Sequence, residues 1–244
     1  MNITERVLGF GMVQFIGKKY CKYFNPLINI GEELKRIPDF KSNCYSQLGQ
    51  DWFVYNVVFK GEKNSGFLLD IGANDPETLS NSLFFEKKGW LGFAFEPIPS
   101  VSEKWKSRRK MECFNNAVGD EDKDVSFTIM GDAGYESGLS DVIGVDGTQI
   151  TIRQITIRDV LEERDIKHVD YVSIDVEGYE MNVLRGIDFD KTDIICLSIE
   201  NNKKNGNPDE KIRRYMKDRG YILLARISID DIFVKADYWK KNGR

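Results

Sequence analysis

The sequence is poor in the residues that build metal centres and disulfide frameworks. It contains a single histidine, His168, and its four cysteines include no Cys-x-x-Cys pair. A structural zinc site needs clustered cysteine or histidine ligands, so this pattern argues against one. We expect reduced, mostly buried thiols in a cytoplasmic protein.

An excess of positive charge is also missing. The formal net charge is −4 and the pI is near 5.3, which argues against a non-specific nucleic-acid binder and predicts no nucleic-acid partner. The basic run from Lys104 to Lys110 is interpreted as a solvated helix face. Nothing in the sequence indicates the oligomeric state.

Long apolar runs are absent from the N-terminal part. Val7 to Ile16 is apolar but too short to span a bilayer, and Lys18 and Lys19 follow it. A helix packed on the domain is one interpretation. A weak interfacial anchor through residues 7–19, peripheral to the inner face of the membrane, is the alternative. We predict a helical extension or lid over residues 1–60 and one main domain over residues 61–244.

After Gly66, short apolar runs alternate with helical patterns, which predicts a Rossmann-like α/β fold with a mostly parallel sheet. The predicted helices include residues 78–88 and 98–109. The predicted strands are residues 67–71, 92–95, 113–118, 125–130, 150–155, 171–174, 194–199, 221–225 and 232–234.

The segment Leu69-Asp70-Ile71-Gly72-Ala73-Asn74-Asp75 follows the first of these strands. Gly72 lacks a Cβ, so the backbone can turn tightly there and approach a ligand. Ligands of open α/β sheets bind beyond the carboxyl ends of the strands. By itself the segment is a weak signal, because an ordinary strand-to-helix turn uses similar residues.

Glu96 ends the next strand, one β-α-β unit downstream, where Rossmann-like folds bind a ribose through an acidic side chain. The pair Gly72 and Glu96 therefore predicts an adenosine-containing ligand. A dinucleotide fits poorly: a phosphate-binding loop needs further glycines, whereas Asn74 and Pro76 stand here, and Asp75 and Glu77 would repel a diphosphate.

Two further strand ends carry carboxylates. Asp175 and Glu177 follow the strand 171–174, and Glu200 follows the strand 194–199. A positioned carboxylate could remove a proton from a hydroxyl acceptor. Asp175 and Glu200 could instead hold a divalent cation through oxygen ligands. The sequence leaves base and ligand as alternatives.

In order and spacing, several segments resemble the FkbM family of S-adenosylmethionine-dependent methyltransferases over about residues 45–200. The chain departs from many members at Pro76, where they have glycine, and at Ser82, where they have threonine. Pro76 removes one N–H that could bind the methyl donor's carboxylate. The matching segments are Ser46-Gln47-Leu48-Gly49-Gln50-Asp51, Asp70–Asp75, Ser80-Asn81-Ser82, Gly89–Gly92, Glu96-Pro97, Asn116-Ala117-Val118 and Ile174–Glu180.

The resemblance implies a class I methyltransferase fold, with seven strands of which the last is antiparallel, and S-adenosylmethionine as cofactor. It implies that Glu96 binds the adenosine ribose and that Asn116 and Ala117 lie near the adenine. The full set of expected cofactor contacts is Asp70, Gly72, Ala73, Asn74, Asp75, Asn81, Glu96, Pro97, Asn116 and Ala117.

Ser46, Gln47, Gln50 and Asp51 could fold over the site as a substrate lid, or could simply cap a helix before Trp52. The family's range predicts O-methylation of a small-molecule or glycan acceptor, such as a capsule or lipopolysaccharide precursor. Two alternatives stay open: an NAD-dependent or nucleotide-sugar-modifying Rossmann enzyme, and a non-catalytic scaffold.

Overall fold

The computed structural model describes residues 44–131, 134, 136–202 and 208–243. The predicted anchor at residues 7–19 and most of the predicted N-terminal extension lie outside the described residues. Within the described part, eleven strands follow one another along the chain: β1 (Phe67–Ile71), β2 (Leu91–Phe95), β3 (Glu112–Phe114), β4 (Ala117–Val118), β5 (Lys123–Ile129), β6 (Gly138–Leu139), β7 (Thr148–Ile155), β8 (His168–Ile174), β9 (Asp193–Glu200), β10 (Tyr221–Ile227) and β11 (Asp230–Lys235).

The described helices are short, and most of them precede or follow strands of the main sheet. The first helix continues as a π-helical turn over Val54–Val58. Helices this short are marginal in isolation, so packing against the rest of the protein stabilises them. They are α1 (Gln50–Phe53), α2 (Leu83–Lys87), α3 (Pro99–Arg108), α4 (Ser140–Ile143), α5 (Ile157–Glu163), α6 (Glu180–Arg185), α7 (Glu210–Asp218) and α8 (Ala236–Asn242).

Seven strands form the main sheet in the order β10-β11-β9-β8-β1-β2-β3. The strands from β9 through to β3 pair in parallel, and β11 is antiparallel to both β9 and β10. The Rossmann-like fold and its final antiparallel strand are thereby confirmed. The strand order reverses between β1 and β8, and this switch point is where such sheets bind ligands.

A second sheet of four strands, in the order β4-β7-β5-β6, departs from the predicted layout. The strand predicted over residues 113–118 is two strands, β3 and β4, in different sheets. Between them the Asn115 side chain donates to the carbonyl oxygens of Glu96 and Pro97 at 2.9 and 3.0 Å, which fixes a bend after β3. The bend directs β4 away from the main sheet to pair with β7.

The predicted helix over residues 78–88 is also shorter than expected, since only Leu83–Lys87 is helical. Asp75 Oδ1 accepts hydrogen bonds from the backbone N–H groups of Glu77 and Thr78, both at 3.0 Å, and Leu79 has a φ of 55°. The side-chain bonds compete with helical ones, and a left-handed residue interrupts a helix. Residues 74–82 consequently form a loop, which is called the β1–α2 loop below.

The apolar core lies on both faces of the main sheet. Leu68, Phe85 and Trp90 pack on one face, and Leu69, Val172 and Leu197 pack on the other. Strands buried on both faces are what a parallel sheet requires, and they hold the carboxyl ends of β1, β2, β8 and β9 in fixed relation. In the described part of the chain, no helix has the length and apolar character needed to cross a membrane.

Candidate active site

A cavity of about 570 Å³ opens where β1, β2, β8 and β9 end. Its walls come from the β1–α2 loop, from the second sheet and from the segment before β1. Of the predicted site residues, those lining it are Gln47, Gln50, Gly72, Ala73, Asn74, Asn81, Glu96, Pro97, Asn116, Ala117, Asp175, Glu177 and Glu200.

Gly72 makes the tight turn between β1 and the cavity. Its φ is 79°, and its N–H and that of Ala73 donate to the Phe95 carbonyl oxygen at 3.0 and 3.1 Å. A Cβ at this position would lie 1.7 Å from the Asp175 carbonyl oxygen, so the adjacent strand end leaves no room for a side chain. The turn brings the ends of β1, β2 and β8 together.

We expect Gly72→Ala to lower the free energy of unfolding by at least about 3 kcal/mol, because backbone strain adds to a backbone clash. Urea unfolding measures the loss. Gly220→Ala is the matched control, since Gly220 has a φ of 80° and its Cβ would meet nothing within 4 Å. That control should cost only about 1–2 kcal/mol, the strain alone. Equal losses in the two variants would contradict the close approach at Gly72.

Glu96 is the carboxylate nearest this turn. Its Oε2 accepts from the Asn74 N–H at 2.8 Å and its Oε1 accepts from the Ile98 N–H at 2.6 Å. The side chain is almost fully buried yet borders the cavity, and burial raises the pKa of Glu96 to about 7. Each oxygen retains a lone pair, so the carboxylate can accept two further hydrogen bonds from the cavity side.

An apolar wall faces Glu96 and was not predicted from the sequence. Ile98, Ala117, Phe127 and Leu139 are buried, pack together and all line the cavity. Ala117, Phe127 and Leu139 belong to β4, β5 and β6, so the second sheet supplies three of these four residues. Only Ala117 had been singled out, because the others carry no polar signal and reach the cavity through long-range pairing.

Asp175, Glu177 and Glu200 form an acidic group at the other end of the cavity. One carboxylate oxygen of each lies within 4.8 Å of those of the other two. Burial and repulsion from Asp175 and Glu177 raise the pKa of Glu200 to about 9. Burial raises the pKa of Asp175 too, while a hydrogen bond with Glu200 opposes that rise. Glu200 is therefore the protonated member of this pair at neutral pH.

Glu177 differs from its two neighbours. Burial, followed by repulsion from Asp175, Glu180 and Glu136, raises the pKa of Glu177 to about 7. Its φ is 54°, a left-handed conformation that is unusual for a glutamate, and Gly178 follows with a φ of 98°. Strained backbone of this kind is concentrated at functional sites. Glu177 lines the cavity, so this strained backbone lies at the candidate site.

Two predicted cofactor contacts lie outside the cavity lining. Asp70 is buried in β1, where burial raises its pKa to about 6, and its Oδ2 has no hydrogen-bond partner among the described residues. Asp75 holds the β1–α2 loop through Glu77 and Thr78 and forms an ion pair with Lys104 at 3.5 Å. Neither aspartate lines the cavity, and their contact with a cofactor stays a prediction.

The four predicted lid residues divide in the same way. Gln47 and Gln50 line the cavity, and Gln50 Nε2 also donates to Asp230 Oδ2 at 2.7 Å. Asp51 is fully buried and accepts from the Tyr45 and Ser46 N–H groups and from the Ser46 hydroxyl, at 2.7, 3.1 and 2.6 Å. Ser46 and Asp51 thus fold the segment that presents the two glutamines.

His168 and the described cysteines lie apart from the cavity lining. The His168 ring bridges Asp170 and Asp193 at 3.0 Å each, at the amino end of β8, and its side chain is half exposed. Cys44, Cys113 and Cys196 are free thiols. Cys21 lies outside the described residues.

The sequence matches one family model, the methyltransferase FkbM domain, over residues 70–223. The chain belongs to the FkbM methyltransferase family. The match begins at Asp70 and covers the Gly72 turn, Glu96 and the acidic group, so the cavity lies almost wholly inside the family's domain. The resemblance inferred from the sequence motifs is thereby confirmed.

Two solved structures are similar to the chain. Methyltransferase FkbM from Methylobacillus flagellatus KT is 15% identical with a TM-score of 0.45, over 84% of this chain and 60% of that one. A TehB-like SAM-dependent methyltransferase from Corynebacterium glutamicum ATCC 13032 is 11% identical with a TM-score of 0.40, over 84% of this chain and 96% of that one. The chain thus spans only 60% of the length of the first. A search of curated proteins gave no match.

Proposed function

We propose that this member of the FkbM family binds S-adenosylmethionine in the cavity and transfers its methyl group to a hydroxyl of a carbohydrate. One observation carries the cofactor assignment. The Glu96 carboxylate is buried beside the Gly72 turn, 2.8 Å from the Asn74 N–H, and retains acceptor capacity toward the cavity. A carboxylate in this position suits the two hydroxyls of an unphosphorylated ribose.

The remaining lining fits the rest of the cofactor. The wall of Ile98, Ala117, Phe127 and Leu139 offers an apolar slot for an adenine ring, beside Asn116. Gly72 lines the cavity with its backbone, and Asn81 Oδ1 is a buried acceptor with no partner among the described residues. A protonated α-amino group could satisfy such an oxygen. When bound, the cofactor supplies an electrophilic methyl group on a positively charged sulfur.

Among the three acidic residues, Glu177 is the best suited to accept the acceptor's proton. Methyl transfer requires the acceptor oxygen to lie in line with the methyl carbon, at about 3 Å. A general base works best when its pKa is near the working pH, and the pKa of Glu177 is about 7. Glu200, with a pKa of about 9, is protonated and can donate a hydrogen bond instead.

The same three oxygens could hold a divalent cation, because carboxylates are the ligands that magnesium and calcium prefer. Chelation separates the two roles. Methyl transfer that persists in EDTA supports proton transfer by Glu177. Transfer that is lost in EDTA and restored by Mg²⁺ assigns the acidic group to a cation and contradicts the base assignment.

A carbohydrate acceptor suits the polar end of the cavity, where Gln47, Gln50 and Asn202 join the carboxylates. Amide and carboxylate side chains pair well with sugar hydroxyls, each of which both donates and accepts. The test is transfer of label from methyl-labelled S-adenosylmethionine to a panel of nucleotide sugars and surface glycans. Label in a methyl ether supports the proposal, and inertness toward the whole panel while S-adenosylhomocysteine binds would refute the acceptor class alone.

A further inference from the structure

Arg109 lies at the end of α3 with its guanidinium fully buried beneath the β1–α2 loop. It belongs to the basic run that was interpreted as a solvated helix face, and for this residue that interpretation is wrong. The helix ends before Arg109, where the backbone becomes extended with a φ of −128° and a ψ of 154°. The side chain lies under the loop. A buried cation is tolerated only when its charge and its N–H groups are paired.

All three guanidinium nitrogens of Arg109 donate hydrogen bonds, and most of these go to the loop. Nη1 donates to the Pro76 carbonyl at 2.5 Å and to the Ser80 hydroxyl at 3.1 Å, and Nη2 donates to the Ser82 hydroxyl at 3.0 Å. Nε donates to Glu86 at 3.1 Å, on the helix that follows the loop. The planar guanidinium group of Arg109 therefore connects the first part of the loop, the end of the loop and the helix that follows it.

Trp105, one turn earlier in α3, contacts both Arg109 and the loop. Its ring lies 4.4 Å from the Arg109 guanidinium carbon, and its indole N–H donates to the Asn74 carbonyl at 2.8 Å. Asn74 and Leu79 have left-handed φ values of 44° and 55°, conformations that non-glycine residues adopt only when their surroundings enforce them. Trp105 and Arg109 hold both strained residues between fixed points.

We propose that Arg109, seated on Trp105, is a positioning residue that keeps the β1–α2 loop in the shape that receives the methyl donor. The proposal rests on the proposed function. The loop supplies Asn74, Thr78, Leu79 and Asn81 to the cavity, while Arg109 itself is not part of the lining. It therefore acts through the loop and not on the ligand.

This role has a kinetic signature. When only a fraction of molecules has the competent loop, the apparent Kd rises by the inverse of that fraction. The association rate falls by the same factor, whereas dissociation from the correctly formed complex is unchanged. Removing a side chain that itself touches the ligand would instead speed dissociation.

The test is Arg109→Lys in the full chain, with S-adenosylhomocysteine binding followed by stopped-flow tryptophan fluorescence. Lysine keeps the charge but cannot reproduce a planar fork with several fixed donors. We expect the Kd to rise about tenfold through slower association, with the dissociation rate changed less than about twofold. Arg109→Met should show a larger effect in the same direction, which makes the lysine variant a partial rescue.

Arg213→Lys is the matched control, since Arg213 is a mostly buried arginine that pairs with Asp231 at 2.7 and 3.0 Å and is not part of the cavity lining or of the β1–α2 loop's contacts. It should lower the melting temperature to a similar extent and leave the Kd unchanged. Three outcomes would overturn the positioning role alone. They are an Arg109→Lys Kd equal to that of wild type, a change in Kd that comes only from faster dissociation, and an equal loss of affinity in Arg213→Lys. Failure of the wild-type protein to bind overturns the proposed function with it.

Discussion

Replacing Glu96 with glutamine is expected to weaken binding of S-adenosylhomocysteine by about 100-fold. Hydrogen bonds to a charged group contribute about 1.5–3 kcal/mol each and neutral ones about 0.5–1.5 kcal/mol, so losing the charge from two ribose contacts costs about 2–3 kcal/mol. Glu96 now accepts hydrogen bonds from the Asn74 and Ile98 N–H groups. The amide nitrogen of glutamine would place a donor against one of these donors, and that hydrogen bond would be lost. Isothermal titration calorimetry at about pH 8, above the pKa of about 7 of Glu96, measures the change directly.

Glu103→Gln is the control for this variant, because Glu103 is an exposed glutamate of α3 whose contact is with Lys106 on the same helix. Its affinity should equal that of wild type. Circular dichroism and the melting temperature establish that Glu96→Gln is folded, and Glu96→Asp tests whether a shorter carboxylate restores part of the binding. Unchanged affinity in a folded Glu96→Gln variant would count directly against the ribose assignment.

Substitution of Glu200 by glutamine should raise the stability of the protein at alkaline pH. The pKa of Glu200 is raised to about 9 in the folded chain from its ordinary value of 4.5, through burial and repulsion from Asp175. The folded state therefore binds this proton more tightly than the unfolded state does. Its stabilising contribution is complete below about pH 4.5 and is lost as the pH rises through about 9.

Glutamine cannot ionise, so the variant avoids this loss. We expect Glu200→Gln and wild type to melt at similar temperatures at pH 5, and the variant to melt at least about 4 °C higher at pH 9, which corresponds to at least about 1–2 kcal/mol for a chain of this size. The full shift from 4.5 to about 9 would give more, but Glu200 is only partly buried and solvent screens its charge. Thermal unfolding across this pH range measures the difference, with Glu103→Gln as the uncharged comparison on the surface. A melting-temperature difference that is constant with pH would contradict the raised pKa of Glu200. A gain in stability on replacing Glu200 is typical of active-site residues, which often cost a protein stability.

The meeting of Gly72, Glu96 and Asp175 could be predicted from the sequence for a simple reason. Each residue directly follows a buried strand, and strands joined by helical crossovers lie parallel, so their carboxyl ends share one edge of the sheet. The prediction needed only local apolar runs and their spacing. Gln47 and Gln50 depended on the family resemblance, because nothing local links them to that edge.

The second sheet and the buried arginine required long-range information. The strand character of residues 125–130 and 150–155 was evident, but the pairing of β4 with β7 depends on contacts distant in sequence. Charge misled the interpretation of Arg109, although the buried residues Val101, Trp105 and Arg109 recur at every fourth position of one helix face. This spacing indicates that Arg109 lies on the buried face of the helix, but the four cationic residues around it favoured the interpretation as a solvated face.

The measurement that tests the central claim most directly is calorimetric titration of the wild-type chain with S-adenosylhomocysteine and, separately, with NAD. The cavity between Gly72, Glu96 and Phe127 predicts a single site that binds S-adenosylhomocysteine and gives no comparable heat with NAD. Binding of NAD with S-adenosylhomocysteine inert would contradict the methyl-donor site and favour a dinucleotide enzyme, and heat from neither ligand would favour a non-catalytic scaffold.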